Sequence, residues 1–203
     1  TLDKSCPDTD ICIFIGYDNN DTIYSKEEER MKVNAIFMKF RIEWIAFQPD
    51  PGNVVAVWNK LFDISYQQGF EWFKILGDDI RLPNDPCWLK LFQKQLKKQK
   101  YIGWAAGYSN NTEIATQFLI HRTHYQIFEF VFPPQIRNWF CDNWLHNIYP
   151  QKYRYWRQDY PLLNTGGEPR YQPENHGSLC AMLLRRHKKG LQKFLNDMEK
   201  IKN

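Results

Sequence analysis

Apolar and polar positions along this chain fall into blocks whose periods predict a succession of strands and helices. Ile11-Cys12-Ile13-Phe14-Ile15 is a short continuous apolar run, the pattern of a strand buried on both faces. It opens into Gly16-Tyr17-Asp18-Asn19-Asn20-Asp21, whose Gly, Asn and Asp content suits either a turn or a ligand-contacting loop. Ser25 and Glu28 have capping-box spacing, so a helix is expected from Lys26 through Met31. Ile42 to Phe47 reads as a second strand closed by Pro49, Pro51 and Gly52. Val54, Val57, Trp58, Leu61 and Ser65 then recur at helical spacing, with Gly69 placed to end that helix. Phe70 to Leu76 is an aromatic and aliphatic strand that stops abruptly at Gly77-Asp78-Asp79.

The second half continues the alternation with less regularity. Asp85 and Pro86 suit an N-cap and first helical residue; Trp88, Leu89, Phe92 and Leu96 form the apolar face, and Lys90, Lys94, Lys97 and Lys98 the wet one. Strands are expected at Tyr101 to Ala105, Thr116 to Ile120 and Tyr153 to Trp156. Helical stretches are expected at Tyr125 to Phe130, Gln135 to Tyr149 and Ser178 to Lys200, the last with Gly190 able to bend it. Pro133 and Pro134 break the chain, and Pro161 to Gly177 is a long irregular segment of the kind that carries function. Strand, helix, strand, helix, strand at the start implies right-handed crossovers. The expected fold class is therefore α/β, a single domain over residues 1–175 with a mostly parallel central sheet and flanking helices, and residues 176–203 as a C-terminal helix packed on it.

Composition narrows the function classes. The 203 residues carry a net charge of +4, with lysines concentrated near residues 94–100 and 185–202, so solvated helix faces account for the charge and no basic stripe interleaved with aromatics points to nucleic acid. Phe, Tyr and Trp make up 16% of the chain, a surplus available both for the core and for platforms under sugars or bases. Cys6, Cys12, Cys87, Cys141 and Cys180 are scattered and odd in number, which argues against a zinc cage and a disulfide framework; Cys12 and Cys141 read as buried thiols. No apolar run is long enough to span a bilayer. The chain begins at Thr1, so a signal, anchor or domain upstream stays open, and with it the localisation and the oligomeric state.

The chemistry centres on Asp78 and Asp79. Adjacent carboxylates repel and are costly to bury unpaired, and a strand that delivers them to its carboxyl end points them at the crevice where open α/β sheets bind ligands. Oxygen ligands there suit Mg²⁺ or Mn²⁺, which in turn holds a diphosphate. A nucleotide would depend on such a metal, because neither GxxxxGK[ST] nor GxGxxG occurs. GDD also marks polymerase metal sites, but those need a palm, fingers and thumb that this chain is too short to contain. Asp142, between Cys141 and Trp144, is a candidate general base through partial desolvation, against the plainer expectation of an Asp bonded to backbone or to Arg137. His121, Arg122 and His124 are candidates for contacts to a diphosphate, and His176 for a further metal ligand; satisfied surface or strand-end positions are the competing expectation.

The ordered segments IFIGYDNND, VWNKLF, GFEWFKILGDDIRL, TQFLIHRTHYQIF, FPPQIRNWFCDNW and NTGGEPRY, from Ile11 to Tyr171, resemble the nucleotide-diphospho-sugar glycosyltransferases of the GT-A fold. The resemblance is to a group found in protists and large DNA viruses, with versions attached to collagen-modifying enzymes. It implies a Rossmann-like GT-A domain in which Asp78 and Asp79 bind the metal that bridges the donor diphosphate. Gly16, Tyr17 and Asp18 would contact the donor's base or ribose, Asn59 would line that pocket, and Asp142 would deprotonate the acceptor hydroxyl. Asn143 stands where the group carries a second acid. The function implied is transfer of a sugar from a nucleotide diphosphate, a UDP-sugar in the first instance, to a hydroxyl of a glycan, protein or small molecule, with inversion. Trp104 and Tyr108 are the expected sugar-stacking aromatics. The alternative is a non-catalytic sugar- or nucleotide-binding module on the same fold.

Overall fold

A computed structural model describes residues 10–166 and 172–200. Cys12–Asp18 (β1) and Arg41–Phe47 (β2) pair in parallel, with Cys12 opposite Arg41 and Asp18 opposite Phe47. A four-stranded sheet follows in the order Trp72–Lys74 (β3), Leu119–His121 (β6), Trp104–Tyr108 (β5), Arg154–Pro161 (β7). β6 is antiparallel to both its neighbours, whereas β5 and β7 are parallel, so β3, β5 and β7 share one direction. Ile80–Arg81 (β4) and Leu163–Asn164 (β8) form a small antiparallel pair.

The chain is therefore mixed α/β, but its sheets are small and mixed in direction, where the sequence pattern predicts one mostly parallel sheet. The reason lies in one connection. β5 ends at Tyr108 and β6 begins at Leu119, with no helix between them. A parallel return needs a crossover long enough to span the sheet, usually a helix, and a short loop brings the strand back antiparallel. β3 is also shorter than its apolar run, although Ile75 N–H to Phe118 O (3.0 Å) and Arg122 N–H to Glu71 O (2.7 Å) extend the pairing past each end.

Side chains of the four-stranded sheet alternate between two buried layers, as a pleat requires. On one face Phe73, Trp104, Ala106, Phe118 and Ile120 pack with Phe62 of Val54–Gln67 (α2), with Trp144, Leu145 and Ile148 of Cys141–Ile148 (α5), and with Leu183, Leu191 and Leu195 of Gly177–Lys200 (α6). On the other, Ala105 and Leu119 pack with Trp88, Leu89, Phe92 and Leu96 of Trp88–Lys98 (α3). α6 runs unbroken through Gly190, where an added Cβ would meet nothing, because the leucines on either side hold the helix to the core. Trp104, expected at the surface, is fully buried.

Helix starts differ from the expected ones in a consistent way. The Ser25–Glu28 capping box does not form: Glu27–Ile36 (α1) begins after Lys26 without a side-chain cap, and Asp21 Oδ1 instead accepts from Ile23 and Tyr24 N–H at 2.8 and 2.6 Å. Asp85 Oδ1 accepts from Cys87 N–H (2.8 Å), and α3 starts only at Trp88. The helix expected from Gln135 is confined to α5, because Phe140 has φ +74°, a left-handed conformation that no helix interior accommodates.

α2 fixes the relative sense of the strands. Its first half meets the end of β1, where a Cβ on Gly16 would lie 2.6 Å from Val57, and beyond its last turn Gln68 accepts from Arg41 at the start of β2 (2.9 Å). Against the larger sheet, Phe62 sits edge-on to Phe73 at 4.7 Å, and Tyr66, one turn further, lies under the Arg122 guanidinium next to Glu71. β1, β2 and β3 thus all run opposite to α2. Asp18, Asp78, Asp79 and Tyr108 fall on the carboxyl edge; His121 and Arg122 fall on the amino edge.

Candidate functional site

The carboxyl edge is organised by a turn at Gly77-Asp78-Asp79 between β3 and β4. Gly77 N–H donates to Gln117 Oε1 (3.1 Å), which ties the turn to the loop entering β6. Thr165 donates from both its N–H (2.8 Å) and its Oγ1 (2.9 Å) to the Asp79 carbonyl. Asn110 and Asn164 exchange a reciprocal pair of bonds at 2.9 and 3.0 Å, and Asn164 Oδ1 accepts from Gly166 N–H (2.9 Å). Residues 163–166 are so strapped against the acids.

Asp78 is exposed and Asp79 half-buried. The Asp79 carboxylate lies between two glycines: a Cβ on Gly166 would come within 2.3 Å of Oδ2, and one on Gly77 within 2.7 Å of Oδ1. No hydrogen bond or ion pair engages that carboxylate among the described residues, although its backbone carbonyl is doubly bonded. Also among the described residues, no group of three or more His, Cys, Asp or Glu side chains is placed to hold a metal ion. Mg²⁺ or Mn²⁺ needs only one or two protein carboxylates when water and phosphate oxygens complete the coordination, and Asp78 and Asp79 are the residues here that would supply them. His176 does not complete a three-ligand set with the two acids: its Nε2 lies 3.2 Å from Glu174 Oε2.

Asp142 occupies the first turn of α5. The far end of α5 lies on the amino edge, since Tyr149 O accepts from Arg154 Nε (2.6 Å) at the start of β7 and Tyr149 Oη meets His124 Nδ1 (2.8 Å) in Thr123–Phe128 (α4), just past β6. Seven residues of helix, about 10 Å, carry Asp142 back toward the carboxyl edge. Its carboxylate has no side-chain partner among the described residues; Arg137, the expected one, is taken by Asp50 (2.7 Å) and Glu174 (3.2 Å). A helix N-terminus lowers a carboxyl pKa, but burial dominates here and pushes Asp142 up to about 7. The Cys141 thiol beside it is pushed well up, by its own burial and then by Asp142.

Other candidate residues have mainly structural surroundings. Gly16 lets β1 approach α2, because a Cβ there would collide with Val57 and Phe47. Tyr17 packs edge-on against Trp44 and under the Arg30 guanidinium, and Asp18 ends β1 exposed at the carboxyl edge. Asn59 clamps backbone: Oδ1 accepts from Val131 and Phe132 N–H, both at 3.0 Å, and Nδ2 donates to Phe132 O at 2.8 Å. Its amide is used in joining α2 to residues 131–132.

The histidine-arginine triplet is set apart from the acids. Trp72 pairs with His121, so these residues lie beside the start of β3 while Asp78 lies beyond its end. His121 is wedged against Trp72 and Tyr101, and burial lowers it to about 4; His124 is buried against Tyr149 and lowered to about 3. Both are neutral near pH 7. Arg122 stacks over Tyr66 at 4.9 Å. These three, expected to contact a diphosphate held by Asp78 and Asp79, lie at the other edge of the sheet, where the antiparallel β6 delivers them.

Two residues are prominent at the carboxyl edge: Asn138, which the sequence did not single out, and Trp139, which the helical spacing of residues 135–149 places on an inward face and the structure leaves outside. Asn138, 1% exposed, joins three segments: Nδ2 donates to Gly52 O (2.9 Å), while Oδ1 accepts from Trp139 N–H (2.7 Å) and Glu174 N–H (3.0 Å). Trp139, next to it, is 50% exposed. Nothing in a polar residue flanked by Arg137 and Trp139 distinguishes a buried hub from a surface amide, and the helical spacing of the region suggested an ordinary α5 face. No family model, curated protein or solved structure matches the chain.

Proposed function

We propose that this chain is a metal-dependent glycosyltransferase of GT-A type that moves a sugar from a nucleotide diphosphate, UDP in the first instance, to an acceptor hydroxyl. The observation that carries the reading is that two kinds of carboxylate lie toward one sheet edge: the Asp78–Asp79 pair after β3, with the Asp79 carboxylate unengaged among the described residues, and Asp142 in the first turn of α5, with a carboxyl raised to about 7. The sense of β1, β3, β5 and β7, which share a common carboxyl edge, supports it, as does the ordered resemblance along the sequence.

Asp78 and Asp79 would hold Mg²⁺ or Mn²⁺, which when bound neutralises the charge of the leaving diphosphate. The chain's own residues do the rest. Asp18, exposed at the end of β1, accepts hydrogen bonds from ribose hydroxyls or the base. Asp142 takes the proton of the acceptor hydroxyl, whose oxygen attacks the anomeric carbon as the bond from that carbon to the β-phosphate oxygen breaks. Attack from the face opposite the leaving group inverts the anomeric centre. A base with a pKa near 7 is matched to this task at neutral pH. Isothermal titration with UDP, with and without Mn²⁺, is the test. Metal-dependent binding that is lost in Asp79→Ala is the expected result, and no binding by folded protein in either condition overturns the reading.

A further inference from the structure

An exposed indole on a rigid backbone demands a reason, and Trp139 is such a residue. Half of it is open to solvent, yet its backbone is tied down. Its N–H is held by Asn138 Oδ1 at 2.7 Å, and Asn138 is itself buried and bonded to Gly52 and Glu174. The next residue, Phe140, is held at φ +74°, a conformation a bulky side chain adopts only at a cost. Phe140 O accepts from Trp144 N–H at 3.0 Å, and its ring packs against Gly177 at the start of α6. Cys141 N–H closes the turn back on Asn138 O at 3.4 Å. The turn therefore fixes Trp139 outward, three residues and at most about 10 Å of chain from Asp142.

We infer that Trp139 is the platform of an acceptor subsite, and that the acceptor hydroxyl presented to Asp142 belongs to a saccharide ring. This rests on the transferase reading above. A flat apolar indole three residues from a carboxylate with no side-chain partner among the described residues matches a pyranose, which offers a face of C–H groups for stacking and equatorial hydroxyls for hydrogen bonding. An amino-acid side chain bearing a hydroxyl has the second feature but lacks the first. Arg137, two residues before Trp139, is bonded to Asp50 and Glu174 and so is not a free positive charge for an acidic acceptor.

Saturation-transfer NMR on the full chain tests this, with methyl glycosides of glucose, galactose, mannose, xylose and N-acetylglucosamine and the N-acetyl amides of serine and hydroxylysine as probes. Each is measured alone and with UDP and Mn²⁺. A methyl glycoside that binds, about ten-fold more weakly in Trp139→Ala and close to normally in Trp139→Phe, supports the subsite, provided both variants keep the parent's thermal midpoint and UDP affinity. Equal glycoside binding in Trp139→Ala, no glycoside binding in either condition, or Trp139-dependent binding of the amides alone overturns it. Failure of UDP to bind while a glycoside still requires Trp139 leaves the platform standing and removes only the nucleotide-dependent reaction.

Discussion

Gly166 and Asp79 are in such close approach that a Cβ on the glycine would sit 2.3 Å from one carboxylate oxygen of the aspartate and 2.8 Å from its Cβ. Residue 166 follows β8, and the strapping of Asn164 and Thr165 to Asn110 and Asp79 brings it there. The pair is remote in sequence, yet each limits what the other can do.

Gly166→Ala should therefore act on the acid rather than on the fold. Gly166 is exposed, so global stability should change by less than about 1 kcal/mol. The displaced Asp79 carboxylate should weaken Mn²⁺-dependent UDP binding about ten-fold, with metal-free binding of UDP unchanged. Titration calorimetry beside a thermal melt separates the two effects.

Donor turnover should rise as pH increases through about 7, the value to which burial raises Asp142, because the base must be ionised. Asp142→Asn should abolish the turnover and its pH dependence while keeping UDP affinity. The stability effect has the opposite sign from a salt-bridged acid: the folded protein holds the Asp142 proton more tightly than the unfolded chain. That contribution is present below about 4 and is lost as pH rises to about 7. Asp142→Asn should consequently be more stable than the parent at pH 8, by an amount of the order of 1 kcal/mol, measured by urea denaturation.

His121, His124 and His146 oppose Asp142 in this pH range. Burial lowers them to about 4, 3 and 4, so the unfolded chain takes up protons near pH 6.5 that the folded one refuses. The stability they reflect is present above about 6.5 and is lost as pH falls toward 4. Burial lowers His187 as well, so with four histidines against one aspartate net stability should fall between pH 6.5 and 4.5. Replacing His146 with Gln should flatten that slope in denaturation curves taken at half-unit steps.

Asn138→Ala should be among the most damaging single changes outside the apolar core. It strips partners from the N–H groups of Trp139 and Glu174 and from the carbonyl of Gly52 at a site 1% exposed. A loss of roughly 2 to 3 kcal/mol is expected, seen as a lower thermal midpoint. Hydrogen exchange should speed up together at the amides of residues 139 and 174.

Arg122→Ala offers the complementary test of edge assignment. Stacked over Tyr66 on the amino edge, Arg122 should contribute nothing to nucleotide affinity, so UDP titration should be indistinguishable from the parent's. A ten-fold loss would place the diphosphate on the wrong edge of the sheet as described.

What the sequence determined by itself was local. Apolar runs and helical periods located most strands and helices, because burial of one face is written into the spacing of residues such as Trp88, Leu89, Phe92 and Leu96. The two acids after β3 were legible for the same reason: a carboxylate pair ending an apolar strand is an electrostatic anomaly on any fold. What only the tertiary structure decided was direction and partnership. A helix-free link between β5 and β6 reversed β6 and carried His121, Arg122 and His124 to the far edge, which no residue pattern encodes. Long-range pairing buried Asn138 and Trp104, left Trp139 in solvent, and occupied Asn59 and Arg137 with distant backbone and carboxylates. Side-chain chemistry is a property of the residue, but whether it is engaged depends on neighbours that the chain meets only on folding.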